Sequence, residues 1–112
     1  MFVEKDILTD GNMDEANLVS DTIDLGNVST FKMVSLWTDL SGSPIGILSL
    51  ENYNDNTKLF ETILESEQSI TDSDGNFHIW DFPYNPFSLI RARYVRTQGS
   101  GTMRIFAQYG GT

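Results

Sequence analysis

Short apolar segments with turn-forming residues between them follow one another along most of the chain. The clearest runs from Phe31 to Trp37, and it is followed by Ser41-Gly42-Ser43-Pro44 and by the alternating segment Ile45 to Leu50. Glycine frees φ, proline fixes it and serine hydroxyls bond to nearby backbone, so this tetrapeptide is a turn signal. The pattern predicts two central strands that face each other across a turn.

The same period of two recurs in the rest of the chain. Strands are predicted over Phe2 to Leu8, Asn17 to Leu25, Phe77 to Phe82, Phe87 to Thr97 and Thr102 to Tyr109, and Lys58 to Leu64 fits a strand better than a helix because it is short. Seven or eight such strands predict an all-β fold, a single antiparallel β-sandwich of jelly-roll type. Residues 18–112 would form this domain, and residues 1–17 an N-terminal arm or a first edge strand.

The composition is that of one folded domain. The 112 residues are 39% hydrophobic and 12% aromatic, which suits a modest core and is too apolar for a disordered chain. No apolar segment approaches bilayer-spanning length and the N-terminus is acidic, so we expect no membrane anchoring, no signal peptide and synthesis in a cytoplasm. Without cysteine the chain has no disulfides and no thiolate metal sites, so packing or assembly must stabilise it.

Charge is distributed unevenly along the chain. The net charge of -9 argues against nucleic-acid binding, since a phosphate backbone would be repelled. Every Asp and Glu lies at or before Asp81, and the charged residues that follow are Arg91, Arg93, Arg96 and Arg104. Either these arginines pair with acids on neighbouring strands, or basic and acidic faces meet between copies or on a charged partner.

No set of residues predicts catalysis. His78 is the only histidine and lies between apolar residues of a predicted strand, and no serine has the surroundings of a nucleophile. Two acidic segments, Asp72 to Asn76 and Asp10 to Glu15, cluster oxygen ligands that suit calcium, yet neither has the EF-hand spacing and both are typical of turns. We expect a protein that is not an enzyme and that has no metal or cofactor.

Aromatic residues leave a carbohydrate-binding alternative open. Sugar stacking needs rings that are exposed along one face, and the candidates are Trp80, Tyr84 and Phe87, which flank a loop with two prolines. Trp37 ends an apolar strand and is expected in the core. Exposure of the three candidate rings in a row would favour a glycan, whereas their burial against another chain would favour assembly.

Two motifs resemble a known group of proteins. Trp37 and a short turn precede the pattern Pro44-x-Gly46-x-Leu48-x-Leu50-Glu51, and Arg93-Tyr94-Val95-Arg96 later leads into Thr97-x-Gly99-Ser100-Gly101-Thr102 before a last strand. From Ser20 to Tyr109 the chain resembles small β-sandwich proteins encoded among the virion genes of tailed bacteriophages. These are head decoration, head-fibre and tail-associated modules.

The resemblance implies a structural protein of the virion, made in the host cytoplasm. It would be a capsid decoration or cement protein that binds and stabilises the capsid lattice, with the major capsid protein or other virion subunits as partners and homo-oligomers expected. The alternative is a carbohydrate-binding or adhesion module, as in tail- or fibre-associated receptor binding. The residues expected at an assembly interface are Phe2, Val3, Tyr84, Phe87, Arg91, Arg93 and Arg104.

Overall fold

Eight antiparallel strands make up the computed structural model, which describes residues 2–71 and 77–110 and gives Phe2 by its backbone alone. They are β1 (Phe2–Asn12), β2 (Asn17–Val19), β3 (Ile23–Asp24), β4 (Phe31–Asn54), β5 (Leu59–Thr62), β6 (Gln68–Ile70), β7 (Phe77–Phe82) and β8 (Leu89–Gly110). Within these ranges there is no helix, and so none with the length and apolarity to cross a bilayer.

The two long strands, β4 and β8, form the centre of the sheet. They pair along almost their whole lengths, from Phe31 opposite Tyr109 to Asn52 opposite Ile90. β1 pairs with the second half of β8, and β7 pairs with the first half of β4. β2 and β3 pair with the first half of β8, while β5 and β6 pair with the second half of β4. Every short strand is therefore an outer neighbour of a long one.

Both long strands bend at the same level. The register of β4 against β8 shifts three times between Thr38 and Gly46. Positive φ angles occur there at Asp39, Gly42 and Ser43 of β4 and at Gly99 of β8. Extra residues and left-handed backbone angles turn a strand out of the plane of its sheet, so the sheet folds over itself at this bend.

The bend divides the sheet into two layers. Layer 1 comprises β1, β7 and residues 31–38 and 102–110, and layer 2 comprises β2, β3, β5, β6 and residues 45–54 and 89–98. Strand alternation buries Met33 and Trp37 of layer 1 and Leu48 and Leu50 of layer 2 in one shared core. The predicted all-β, antiparallel sandwich is thereby confirmed.

Hydrogen bonds also join the edges of the two layers. The backbone N–H of Asp21, between β2 and β3, donates to the carbonyl of Ile7 on β1 at 2.8 Å. On the other side, the indole Nε1–H of Trp80 on β7 donates to the carbonyl of Ser66 at 2.9 Å. Each outer strand of layer 1 is therefore tied to layer 2 by a bond that satisfies a buried polar group.

The predicted turn at Ser41 to Pro44, and the glycine-rich segment Gln98 to Gly101 that separates two predicted strands, lie inside single strands instead. Ser41 to Pro44 belongs to β4 and Gln98 to Gly101 belongs to β8, so neither segment reverses the chain, and the predicted pairing of Phe31–Trp37 with Ile45–Leu50 is wrong. The reason is that the two segments face each other at the bend. The Gln98 side-chain amide donates to the carbonyl of Ser43 at 2.9 Å. Residues that favour turns supply the unusual φ angles of a corner as readily as those of a hairpin.

The shorter strands differ from the prediction in detail. β1 pairs with β8, so the N-terminal segment is an edge strand here and not a free arm. Asn17 to Leu25 is divided into β2 and β3, because the Ser20 hydroxyl accepts the N–H of Ala92 at 2.8 Å in place of a regular ladder bond. Lys58 to Leu64 contributes the strand β5, and β6 was not predicted as a separate strand.

The bend provides a test of the fold. Gly99 has a φ of +82°, and a Cβ there would lie 2.4 Å from the Cα of Pro44. We expect Gly99→Ala to lower the free energy of unfolding by about 1–3 kcal/mol, because it adds both backbone strain and a clash between backbones. Urea denaturation measures the change. Gly26→Ala, where the nearest atom is the side-chain oxygen of Asp24 at 3.2 Å, is the control and should change stability less. Equal effects would mean that the corner is not a tight contact.

Candidate binding site

The side chains that alternate with the core residues of layer 1 form its outer face. On β4 and β8 they lie in opposite pairs, namely Thr38 with Thr102, Leu36 with Arg104, and Val34 with Phe106. Phe77 and Ile79 of β7 lie beside Leu36 and Val34. Hydroxyl groups are therefore closest to the bend, a charged group comes next, and apolar side chains lie farther along.

A pocket of about 410 Å³ lies on this face beside the bend. Its lining residues are Thr9, Asp10, Leu36, Thr38, Thr102 and Arg104. Two irregularities of the sheet flank it, since the register of β1 shifts between Leu8 and Gly11 and that of β4 shifts after Thr38. A bulge redirects the side chains of its residues, and here it lets Thr9 and Asp10 form a wall of the pocket.

Five of the six lining residues carry a polar group, while most of the lining surface between those groups is apolar. The polar groups are three threonine hydroxyls, one carboxylate and one guanidinium, and the side chain of Leu36 lies in the same lining. Among the described residues, the three hydroxyls and the Asp10 carboxylate have no hydrogen-bond partner. Arg104 is fixed in position, because its Nε donates to Asp6 Oδ1 at 2.8 Å and its guanidinium lies 4.4 Å from the ring centre of Phe106. The pocket thus offers polar groups that protein atoms leave available.

An apolar strip extends from the pocket across layer 1. Its members are Val34, Leu36, Phe77, Ile79 and Phe106. Val34 and Phe106 are only 8% exposed although they point outward, whereas Phe77 and Ile79 on the edge strand β7 are 59% and 47% exposed. Exposed apolar side chains that adjoin one another mark interaction surfaces more often than isolated ones do.

The outer face of layer 2 carries an ion cluster instead. Glu51 of β4 is 7% exposed, and its two carboxylate oxygens accept hydrogen bonds from Nε of Arg91 at 2.7 Å and Nε of Arg93 at 3.1 Å. The guanidinium of Arg91 also lies 3.8 Å from the ring centre of Phe60, which meets the ring of Tyr53 edge-on. Charged and aromatic groups are therefore packed into one cross-strand cluster.

The electrostatics of this cluster are set by the arginines. Burial alone would raise the pKa of Glu51, but the hydrogen bonds and charges of Arg91 and Arg93 outweigh burial and hold the pKa below its ordinary value of 4.5. The carboxylate is therefore ionised at neutral pH. Together with the Arg104–Asp6 pair at 2.8 Å, these contacts follow the first alternative for three of the four late arginines, which is pairing with acids on neighbouring strands. The fourth, Arg96, instead donates from Nε to the carbonyl of Gly99 at 2.7 Å.

The three rings predicted for sugar stacking do not form a row. Trp80 is buried in the core, Tyr84 is exposed, and Phe87 is half-buried with its ring edge-on to Phe82. The loop itself is held by Asn85, whose side-chain amide donates to the carbonyls of Leu25 and Val28, both at 2.8 Å. A single exposed ring remains at this loop.

The residues predicted for an assembly interface are not on one surface. Val3 is half-buried opposite Tyr109 in layer 1, whereas Arg91 and Arg93 lie on the outer face of layer 2. Arg104 is beside the pocket, and Tyr84 and Phe87 are in the loop before β8. The side chain of Phe2 lies outside the described residues. The structure brings Arg91 and Arg93 together and leaves the others apart.

The acidic loop after β1 and the histidine have ordinary structural surroundings. In the loop after β1 the Asn12 side chain accepts the N–H of Asp14 at 2.9 Å, as in a turn, and residues 2–71 and 77–110 contain no group of three metal-binding side chains. The loop Asp72 to Asn76 lies outside those ranges. His78 packs edge-on against Trp80, and burial lowers the pKa of its imidazole, so it is neutral at pH 7.

The sequence analysis missed most of the pocket residues. Thr9, Leu36, Thr38 and Thr102 are ordinary strand residues, and no spacing distinguishes them from neighbours that face solvent. The one local signal is Asp10-Gly11, which was assigned to a turn and in fact belongs to a bulge. Because the pocket forms between β1, β4 and β8, only the pairing of these distant segments reveals it.

Comparisons with known proteins gave matches among solved structures alone, since no family model and no curated protein matches the chain. One structure similar to it is a chitosan-binding module from a chitosanase/glucanase of Paenibacillus sp. IK-5, with 20% identity, coverage of 93% of this chain and 74% of that chain, and a TM-score of 0.49. Another, described by the words "CBM4 structure and function", has 11% identity, coverage of 97% and 71%, and a TM-score of 0.45.

The ion cluster of layer 2 provides a pH-dependent test. At pH 7 we expect Glu51→Gln to lower the free energy of unfolding by about 1–3 kcal/mol, since it removes hydrogen bonds to an ionised group. A lowered folded-state pKa contributes stability above the unfolded value of 4.5 and loses it as the pH falls through the folded value. The difference between wild type and variant should therefore shrink below pH 4.5 in urea titrations.

Glu61→Gln is the matched control for this experiment. Glu61 is exposed and accepts one hydrogen bond, from the Asn54 side chain at 2.9 Å. Its substitution should change stability by about 0.5 kcal/mol or less. A Glu51→Gln variant that matches this control at pH 7, or whose deficit stays constant down to pH 3, would contradict the assignment of Glu51 as the ionised centre of the cluster.

Proposed function

We propose that this protein is a non-catalytic carbohydrate-binding or adhesion module, and that the pocket beside the bend holds one sugar unit. The observation that carries the proposal is the lining of the pocket, which combines hydroxyls, a carboxylate and a guanidinium with apolar surface that includes the side chain of Leu36. A sugar presents hydroxyl groups around a ring that also has apolar C–H faces. Its surface therefore matches both kinds of lining group.

The size and position of the pocket also suit one unit of a longer glycan. A volume of about 410 Å³ falls within the range of small-ligand sites, which is about 300–1,000 Å³. The pocket lies on the outer face of a sheet, so further units have room along the apolar strip. There the exposed ring of Phe77 lies beside Leu36 and provides a stacking surface next to the pocket.

A binding role is a better match to the pocket than hydrolysis. Glycoside hydrolases of the usual type use two carboxyl groups, one as acid and one as base or nucleophile. Asp10 is the one carboxylate in the lining, and the nearby Asp6 already accepts hydrogen bonds from Arg104. We therefore take the pocket to bind a glycan without cleaving it.

A structural role in the virion of a tailed phage is the second candidate function. It is supported by the motif resemblance and by the apolar strip, because the centres of protein interfaces are apolar and rich in aromatic residues. In this role Phe77 and Ile79 would dock on the major capsid protein or another virion subunit. The net charge of -9 would keep free copies of the protein apart before assembly.

The carbohydrate-binding function is tested by glycan-array screening followed by calorimetry with the best ligand. Thr102→Val removes one hydroxyl from the pocket and keeps the shape of the side chain. We expect it to weaken binding about tenfold, since a hydrogen bond contributes about 1–1.5 kcal/mol. Thr62→Val, on β5 and far from the pocket, is the control and should bind like wild type. Equal affinities for both variants would contradict the pocket as the site.

The virion function is tested by binding to phage particles that lack the protein. Phe77→Ser should weaken saturable binding at least about tenfold, because burying a phenylalanine side chain contributes about 1.5–3 kcal/mol. Leu64→Ser is the control, since Leu64 is 89% exposed and lies outside the strip. Particle binding that is insensitive to Phe77→Ser would exclude the apolar strip as the contact, and no particle binding by wild type would exclude this function.

A further inference from the structure

We infer that two copies of this chain pair through the open edge of β7, with the two strands antiparallel about a two-fold axis at Ile79. β7 is hydrogen-bonded to β4 on one side, and no strand of the described residues pairs with its other side. No other backbone hydrogen bond of the described part of the chain involves β7. A row of unpaired N–H and C=O groups along a strand is a template for one more strand.

The other outer strands are protected against such pairing. The register of β1 shifts twice along β8, and Glu4, Lys5 and Asp6 follow one another on it. The outer strands of layer 2 are only two to four residues long. Bulges, charges and short length are the means by which sheet edges avoid other chains. β7 has six residues that pair with β4 without a shift, and Asp81 is its one acid.

The outer side chains of β7 are complementary to those of a second β7. Ile79 lies opposite Val34 of β4, which lies opposite Phe106 of β8, so one row of apolar side chains crosses the sheet and ends at the open edge. Ile79 itself is 47% exposed. A second copy would continue this row with the same three side chains in reverse order, so the partner that fits the edge is the chain itself.

The register follows from the residues on the two faces of β7. Residues directly opposite each other lie on the same face of a sheet, so the axis passes through Ile79 or Trp80. With Ile79 on the axis, Ile79 faces its counterpart, and Phe77 faces Asp81 of the second copy. With Trp80 on the axis, Phe77 would face Pro83, which lies beyond the strand. The first register groups four apolar side chains as direct and diagonal neighbours, and it sets no acid of β7 opposite another acid.

The dimer should be weak and should tighten with salt. A single pair of strands is a smaller contact than the standard interface of about 800 Å² per partner. Glu65 and Glu67 are exposed on either side of Ser66, whose carbonyl accepts the indole N–H of Trp80. These acids lie on the layer 2 side of the same edge and repel the same loop of a second copy. Salt screens that repulsion.

Pairing at this edge would leave the pocket beside the bend open. The pocket is lined by residues of β1, β4 and β8, whereas the contact is made by β7. Because opposite residues share a face, the outer faces of layer 1 in both copies lie on the same side of the extended sheet. A glycan long enough to reach both pockets would bind more tightly than it binds to one. This consequence rests on the proposed function, but the pairing does not.

Sedimentation equilibrium from micromolar to millimolar concentration is the first experiment. The expected result is a reversible monomer–dimer equilibrium that Ile79→Asp weakens at least about tenfold, because two carboxylates would face each other on the axis. Ile47→Asp is the matched control, since Ile47 is 43% exposed on the outer face of layer 2. It adds the same charge and should dimerise like wild type. A wild type that stays monomeric, or an equal or greater loss in Ile47→Asp, would overturn the inference.

Cross-linking tests the register without relying on the Ile79→Asp variant. The chain has no cysteine, so each variant carries a single thiol. Opposite Cα atoms lie about 4.5–5.5 Å apart, within reach of a disulfide. The two Phe77 positions would lie about 14 Å apart. Under mild oxidation Ile79→Cys should therefore form dimers at least about tenfold faster than Phe77→Cys. Equal rates, or a faster reaction of Phe77→Cys, would overturn the inferred pairing.

Discussion

The shared bend of β4 and β8 is the constraint on which the rest of the structure depends. Each strand has to change direction at the same level while its partner stays in register on both sides, and this requires residues with positive φ on both strands. Gly99 is placed against the backbone of Pro44, where a Cβ has no room. Once the corner is formed, the two halves of each long strand present their inward side chains to one another. The core then closes without any helix in the described residues.

The same irregularities that make the corner also make the pocket. A regular antiparallel sheet has an outer face of evenly spaced side chains and offers little depth. Here β4 leaves its register just after Thr38, and β1 bulges at Thr9 and Asp10, so the sheet is interrupted on both sides of the Thr102 and Arg104 positions. Depth on the outer face of layer 1 is therefore a consequence of how layer 1 is joined to layer 2. A change that regularised the bend would be expected to flatten the pocket as well.

Local patterns predicted the strands well and their connections poorly. Alternation assigned Ile90, Ala92 and Tyr94 to the core and Arg91 and Arg93 to the outer face, as the structure has them, because alternation depends only on which side of a sheet is buried. The hairpin at Ser41 to Pro44 was wrong, because glycine, serine and proline allow a bend as readily as a reversal. Asp10 was noticed as part of an acidic turn, but its place beside Thr38 and Thr102 depends on contacts between segments about thirty and ninety residues apart, which no local pattern encodes.

The topology brings together acids and arginines that lie far apart in the sequence. The early and middle strands β1 and β4 flank the late strand β8 on its two sides, so opposite charges on early and late segments become cross-strand neighbours. Glu51 receives Arg91 and Arg93 in layer 2, and Asp6 receives Arg104 in layer 1. Such pairs help to fix the register of β8, because a slip by one residue would move its buried side chains to the outer face of the sheet. Among the described residues this pairing uses only Glu4, Asp6 and Glu51, and the other acids, Asp10 included, add to the negative surface of the protein.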